Sequence, residues 1–248
     1  MIEIFMILAF VFLVAVFFYK QALEQFDVLQ IEATQLEQLP KLLAEKSFLV
    51  VRSLPTIQLW TRDTVKEIPR IHGAPYGSSK ILEIAEGTAG PFPANYPSSS
   101  ETLAEQVGVQ TWVETTWLPK ITESSWFKWL FSCRSEIAVG SKGLRKSVAY
   151  STMILPTEND LLISVMPESS ETYLPMKWQG KMFQKIKRAE APLISEVKYL
   201  DIKVRKGSAL FVPPHWIVNI QQDGEKVPWF LWAEFHHPMS KFAHMLNS

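Results

Sequence analysis

The residues of this 248-residue chain with the most chemistry open to them are five histidines and one cysteine: His72, His215, His236, His237, His244 and Cys133. Histidine binds metals and moves protons near neutral pH. His236 and His237 close the last apolar run and form a candidate ligand pair. Neighbours on a strand point to opposite faces, however, and seldom share one metal. Cys133 has Arg134 as its one adjacent cation, so nothing in the sequence marks it as an activated nucleophile. No G-x-S-x-G elbow and no glycine-rich loop ending in Lys-Ser/Thr occurs, so serine-hydrolase and phosphate-loop chemistry are not indicated. The 25 basic residues balance the 25 acidic ones, and a nucleic-acid partner is not expected.

Any site must be positioned by a core, and with 47% hydrophobic and 12% aromatic residues the chain can build one. Residues 4–19, IFMILAFVFLVAVFFY, contain no charge and no strong polar group. A span needs about 20 apolar residues. The neighbouring Met1, Ile2 and the stem of Lys20 extend this run, and the Lys20 ammonium can reach the headgroups. The reading is a single-pass membrane anchor over 1–20. A cleaved signal peptide would begin with basic residues and end in small ones, whereas this run begins with Glu3 and ends in Phe17, Phe18 and Tyr19. Lys20 follows the run, which places the rest of the chain on the cytosolic side. The single cysteine and the absence of an Asn-x-Ser/Thr sequon agree with that side.

Residues 21–40 read as a helical stalk. Ala22, Phe26, Leu29, Ala33 and Leu36 recur at alternating spacings of four and three, and Pro40 closes the stripe. Such a stripe either packs on its own domain or pairs two copies as a short coiled coil. Phe48 to Val51 reads as a buried strand, and a short helix is expected to start near Thr61. Residues 73–100 are rich in Gly, Pro and Ser and read as a long loop broken by one strand, Lys80 to Glu86. Trp112, Trp117, Trp126 and Trp129 fall in an aromatic-rich stretch. It serves either as core or as a contact surface for a protein partner, lipid headgroup or sugar. From Ser147 onward β-type runs alternate with turn residues. They lie at 147–155, 161–166, 198–204, 209–220 and 229–235, a spacing that suggests a sandwich or jelly roll.

The segment KGSALFVPPHWIVNI, Lys206 to Ile220, resembles the late hairpin of cupin-like domains of the JmjC type. There a glycine turn leads into a strand of the form G-D-x-L-x-x-P-x-x-W-x-H. Gly207, Leu210, Pro213, Pro214 and Trp216 stand in the matching places. Two further stretches agree in order, KSFLVVRSLPTIQLWTRDTV and LLISVMPESSETYLPMKW, while residues 73–145 match poorly. The resemblance implies a mainly β fold with peripheral helices, a double-stranded β-helix over 41–248 following one transmembrane helix. Active members of the family are iron- and 2-oxoglutarate-dependent oxygenases whose metal sits on a His-x-Asp/Glu pair and a later His. Here Ala149-Tyr150-Ser151 stands where the pair falls, and Val218 where the later His falls. No Lys or Arg occurs between Lys146 and Lys177 to hold the oxoacid.

No metal or other cofactor is therefore expected. The reading is a membrane-anchored, non-catalytic cupin-like protein that acts as a structural or interaction module, as in a membrane-associated or viral assembly. Trp112, Trp117, Trp126 and Trp129 are its candidate partner surface. The alternatives are a small-molecule or carbohydrate-binding module, with Tyr150, His215, Trp216 and Asn219 at the barrel mouth, and a divergent oxygenase.

Overall fold

The computed structural model describes residues 6–7, 10, 26–55, 58–122 and 128–237. Among them, twelve strands are arranged mainly in two facing sheets. The larger sheet has six strands, in the order β1 (Val28–Glu32), β2 (Phe48–Arg52), β10 (Ala209–Val212), β7 (Ser151–Pro156), β12 (Trp229–His236) and β5 (Ser132–Val139). The smaller has four, β6 (Lys142–Lys146), β11 (Ile217–Gln222), β8 (Leu161–Met166) and β9 (Leu200–Val204). A two-residue ribbon, β3 (Pro75–Tyr76) with β4 (Ser79–Lys80), stands apart. Pairing is antiparallel except where β1 joins β2 in parallel. From β5 onward the chain crosses repeatedly between the two sheets, an arrangement consistent with a jelly-roll type of fold.

Alternation along the strands divides the core into three layers. Ile154, Leu161, Ile163, Leu210, Val218 and Phe230 meet between the sheets. The other face of the large sheet, with Ile137, Met153, Phe211 and Leu231, packs against the helices through Trp60, Val65 and Trp117. Residues 167–197 cover the outside of the small sheet through Leu174, Trp178 and Val197. Burying each large side chain contributes about 1.5–3 kcal/mol.

Several expectations hold. Phe48–Arg52 is a strand, and the helix Arg62–Glu67 begins at Thr61, whose hydroxyl caps the Thr64 N–H. The β-runs after Ser147 contain strands β7 to β12, but the run at 209–220 is broken at 213–216 into β10 and β11, which lie in different sheets. Two expectations are corrected. Residues 28–32, read as part of a helical stalk, form strand β1. Leu29 and Ile31 turn to the helical layer at a period of two, and β2 offers a free edge. Leu29, Ala33 and Leu36 pack on the domain's own core, and the Phe26 ring stands edge-on to Trp216.

The strand expected over Lys80–Glu86 is the helix Ile81–Glu86. The Glu83 carboxylate accepts the Lys80 N–H at its start, and Gly87 closes it at φ 78°. Ile81, Ile84 and Ala85 bury one helical face.

Among the described residues no helix is long and apolar enough to cross a membrane. The anchor read over 1–20 lies outside the described residues, apart from the exposed Met6, Ile7 and Phe10.

Candidate functional site

Among the described residues the buried charged side chains, Glu136, Lys142 and Glu234, gather inside the jelly roll, where β5 and β6 are the edge strands of the two sheets. Arg134 and Glu136 on β5 and Glu234 on β12 belong to the inward set, since Glu234 pairs with Arg134 and Trp232 with Glu136. On β6 the register against β11 runs Arg145 to Val218 and then Lys142 to Ile220, so β6 carries one extra residue. This irregularity turns both Lys142 and Arg145 inward, although they stand three apart.

Arg145 is the centre of the cluster. Its Nη1 donates to Glu136 Oε2 at 2.6 Å, and its Nη2 donates to Glu136 Oε1 at 3.0 Å and to Glu234 Oε1 at 2.9 Å. The bidentate fork is the strong geometry for a guanidinium on a carboxylate. Both glutamate side chains are nearly inaccessible, at 5% and 6% exposure. Burial alone would lower the Arg145 pKa, but the hydrogen bond to Glu136 and the charges of Glu234 and Glu136 raise it instead. Burial would likewise raise Glu234, but hydrogen bonds from His236 and Trp232 and the charge of Arg145 hold it down at about 2. The Trp232 indole donates to Glu234 Oε1 at 3.0 Å.

Tyr96 projects into the seam from the segment before residue 100. The Arg145 guanidinium lies 4.8 Å from its ring centroid and the Lys142 ammonium 5.7 Å. Its hydroxyl is buried without a hydrogen-bond partner, and burial raises its pKa well above the usual value. Lys142 is itself 1% exposed, donates to the Pro93 carbonyl at 2.8 Å and also faces the Tyr76 ring at 5.4 Å. Burial pushes its pKa down to about 7.

Close backbone contacts hold these segments at the sheet edge. Gly143 N–H donates to Ala94 O, Gly180 N–H to Leu144 O, and Leu144 N–H to Lys181 O. A Cβ on Gly143 would overlap the Gly180 carbonyl, and one on Gly180 would overlap the Asn95 side chain. Beside this seal lies a cavity of about 330 Å³ whose wall includes Asn95, Glu101, Arg134, Glu136, Arg145 and Gln179. Arg134 forms ion pairs with Glu101 and, at 3.7 Å, with Glu136.

The residues expected at a barrel mouth do not meet. Trp216 is buried between the sheets, edge-on to Phe48 at 4.5 Å. Asn219 sits one position beyond Val218 on β11 and so faces the other way. It lies under residues 178–186, where its Oδ1 accepts the Phe183 N–H and its Nδ2 has no partner. Tyr150 packs on the helical layer against Phe131. His215 is at the rim with φ 70°, its backbone N–H bonded to Ser147 O, and its Nδ1 lies 4.0 Å from Glu168.

Of the tryptophans, Trp117 is buried and Trp112 half-buried beside it, with centroids 6.1 Å apart. A π-helical turn over Val113–Trp117 brings them together. Residues five apart on an α-helix diverge by about 140°, whereas a π turn links i to i+5. Trp129 is 76% exposed, and Trp126 lies outside the described residues. The His72 ring nitrogen lies 3.0 Å from Val65 O. His236 touches Glu234 at 3.4 Å, while the His237 ring meets Phe131, so the two neighbours diverge. Burial raises the Cys133 pKa to about 11.

Among the described residues no three His, Cys, Asp or Glu side chains are placed to hold a metal ion. Val218, where the resembled family has its later metal-binding histidine, is paired with Arg145 on the neighbouring strand of the same sheet. Among the described residues, the inward carboxylates Glu136 and Glu234 already hold the Arg145 guanidinium and do not fit an iron centre.

No protein family matches the chain, and no curated protein does. Among solved structures, protein NMB1881 from Neisseria meningitidis is 10% identical over 42% of this chain and 72% of its own, with a TM-score of 0.24. The Fe(II) form of HppE in complex with its substrate is 8% identical over 42% of this chain and 46% of its own, with a TM-score of 0.27. Overlaps this low do not define a shared fold, and the jelly-roll assignment stands on the strand order.

Proposed function

We propose that this chain is a non-catalytic, cupin-like double-stranded β-helix domain held at a membrane by residues 4–19, where it works as a structural or interaction module. One observation carries the reading. Beside Val218, on the neighbouring strand, the interior holds Arg145, a fixed cation already neutralised by Glu136 and Glu234. A metal ion there would lie beside a buried guanidinium that does not lose its proton. The uncharged run at 4–19 supports the tether, and Lys20 supports a cytosol-facing domain. A tether raises the effective concentration of the domain for partners on the same surface.

The test is metal content of the full chain, purified in detergent without chelator, followed by 2-oxoglutarate turnover after Fe(II) is added. The expected result is no stoichiometric metal and no turnover. One iron per chain with oxoacid consumption would overturn the reading. Alkaline extraction of membranes tests the tether: the chain is expected in the pellet, and its release would refute the anchor.

A further inference from the structure

We propose that the cavity at the β5–β6 seam binds a neutral, hydroxyl-rich small molecule of monosaccharide to disaccharide size. This inference rests on the non-catalytic reading, because it assigns a ligand to the same ion cluster.

The volume of about 330 Å³ lies at the small end of ligand pockets, which run from about 300 to 1,000 Å³. The charge of the wall decides the ligand class. Two guanidinium groups, Arg134 and Arg145, face it with two carboxylates, Glu101 and Glu136. An anion that enters meets the glutamates, and a cation meets the arginines. Either suffers desolvation beside a like charge. A zwitterion would have to compete with ion pairs that are already made: Arg145 to Glu136 and Glu234, and Arg134 to Glu101.

A neutral hydroxyl needs none of these pairs broken. Each carboxylate oxygen keeps a second lone pair after accepting from an arginine, and a hydroxyl both donates and accepts. It can therefore bridge a carboxylate and a guanidinium in place. Asn95 and Gln179 add amide groups of the same double character to the wall. The ion pairs fix the charged groups beforehand, so little side-chain freedom is lost on binding. Gly143 and Gly180 let the Asn95 and Gln179 segments lie directly on the sheet edge.

The experiment is saturation-transfer NMR on the full chain, in a detergent without a sugar headgroup. The probes are glucose, galactose, mannose, N-acetylglucosamine, maltose, lactose and chitobiose at about 10 mM, enough to detect millimolar affinity. Glucosamine and glucose 6-phosphate serve as the cationic and anionic comparators. At least one neutral sugar is expected to saturate, with the charged comparators at least about tenfold weaker, about 1.4 kcal/mol. Ser98→Trp places a bulky ring at the exposed cavity rim, and Gln179→Ala removes an exposed amide. Neither touches the ion cluster, and each is expected to weaken binding, Ser98→Trp by at least about tenfold.

Absence of binding by every neutral probe would overturn the proposal. So would binding that survives Ser98→Trp, or tighter binding of a charged comparator. Metal content and oxoacid turnover separate the two readings. A metal-free chain that binds no sugar loses this inference alone, and an iron-loaded, active chain loses the non-catalytic reading.

Discussion

Replacing Arg145 by methionine is the sharpest perturbation of the molecule. The variant keeps an unbranched apolar stem as far as the Arg145 Nε position and removes three charge-assisted hydrogen bonds, at 2.6, 3.0 and 2.9 Å. It leaves Glu136 and Glu234, 5% and 6% exposed, without their shared cation. Removing one partner of a buried ion pair costs about 3–5 kcal/mol. Arg145 is 27% exposed, so solvent screens part of that and the lower end, about 3 kcal/mol, is expected. The pH dependence fixes the cause. In the native protein Glu234 is held at about 2, so its contribution is present above the unfolded value and disappears as pH falls below about 4.5 towards 2. In Arg145→Met the stranded carboxylates favour the proton, and the folded pKa of at least one rises above its unfolded value. The folded state then binds more protons than the unfolded state, and the variant loses stability as pH rises from 5 to 8. Urea denaturation of the full chain at pH 5 and pH 8 reads both effects. The triple variant Glu136→Gln, Arg145→Met, Glu234→Gln is expected to recover at least half of the loss. A cost below about 1 kcal/mol, typical of an exposed pair, or a cost equal at both pH values, would refute the reasoning.

Two further predictions follow from neighbouring groups. Lys142, depressed to about 7 by burial, is neutral in the folded chain and charged in the unfolded chain between pH 7 and 10. Native stability should therefore rise with pH over 7–9 relative to Lys142→Met, by up to about 1.4 kcal/mol per pH unit; parallel denaturation curves would refute this. Gly143→Ala places a methyl group against the Gly180 carbonyl, and a loss of at least about 2 kcal/mol is expected by thermal denaturation, where an unchanged midpoint would show that the seam yields.

The legible parts of the fold are those where one face is plainly apolar. Buried runs such as Phe48–Arg52, and those from Leu161, Leu200 and Trp229, declare themselves by hydrophobicity and flanking turn residues. Strands β5 and β6 do not. Their inward positions hold Arg134, Glu136, Lys142 and Arg145, so the buried face looks like a solvated one and the period-two signal vanishes. The same residues are the candidate site, which is why the sequence pointed to His215, Trp216 and Asn219 instead. No local pattern links Glu136, Arg145 and Glu234, which meet only through β12 lying beside β5. The neighbour of Val218 on the adjacent strand depends on an extra residue in β6 that the sequence does not mark.

The strand order has a consequence for synthesis. In both sheets, late segments lie between early ones: β12 separates β5 from β7, β11 separates β6 from β8, and β10 separates β2 from β7. As the chain leaves the ribosome, neither sheet can close until residues 209–236 are available. Such a nascent chain folds slowly, through non-local pairing, and is exposed to aggregation while it waits. A ribosome stalled before β12 would present unpaired β5 and β7 edges to chaperones rather than a smaller folded domain.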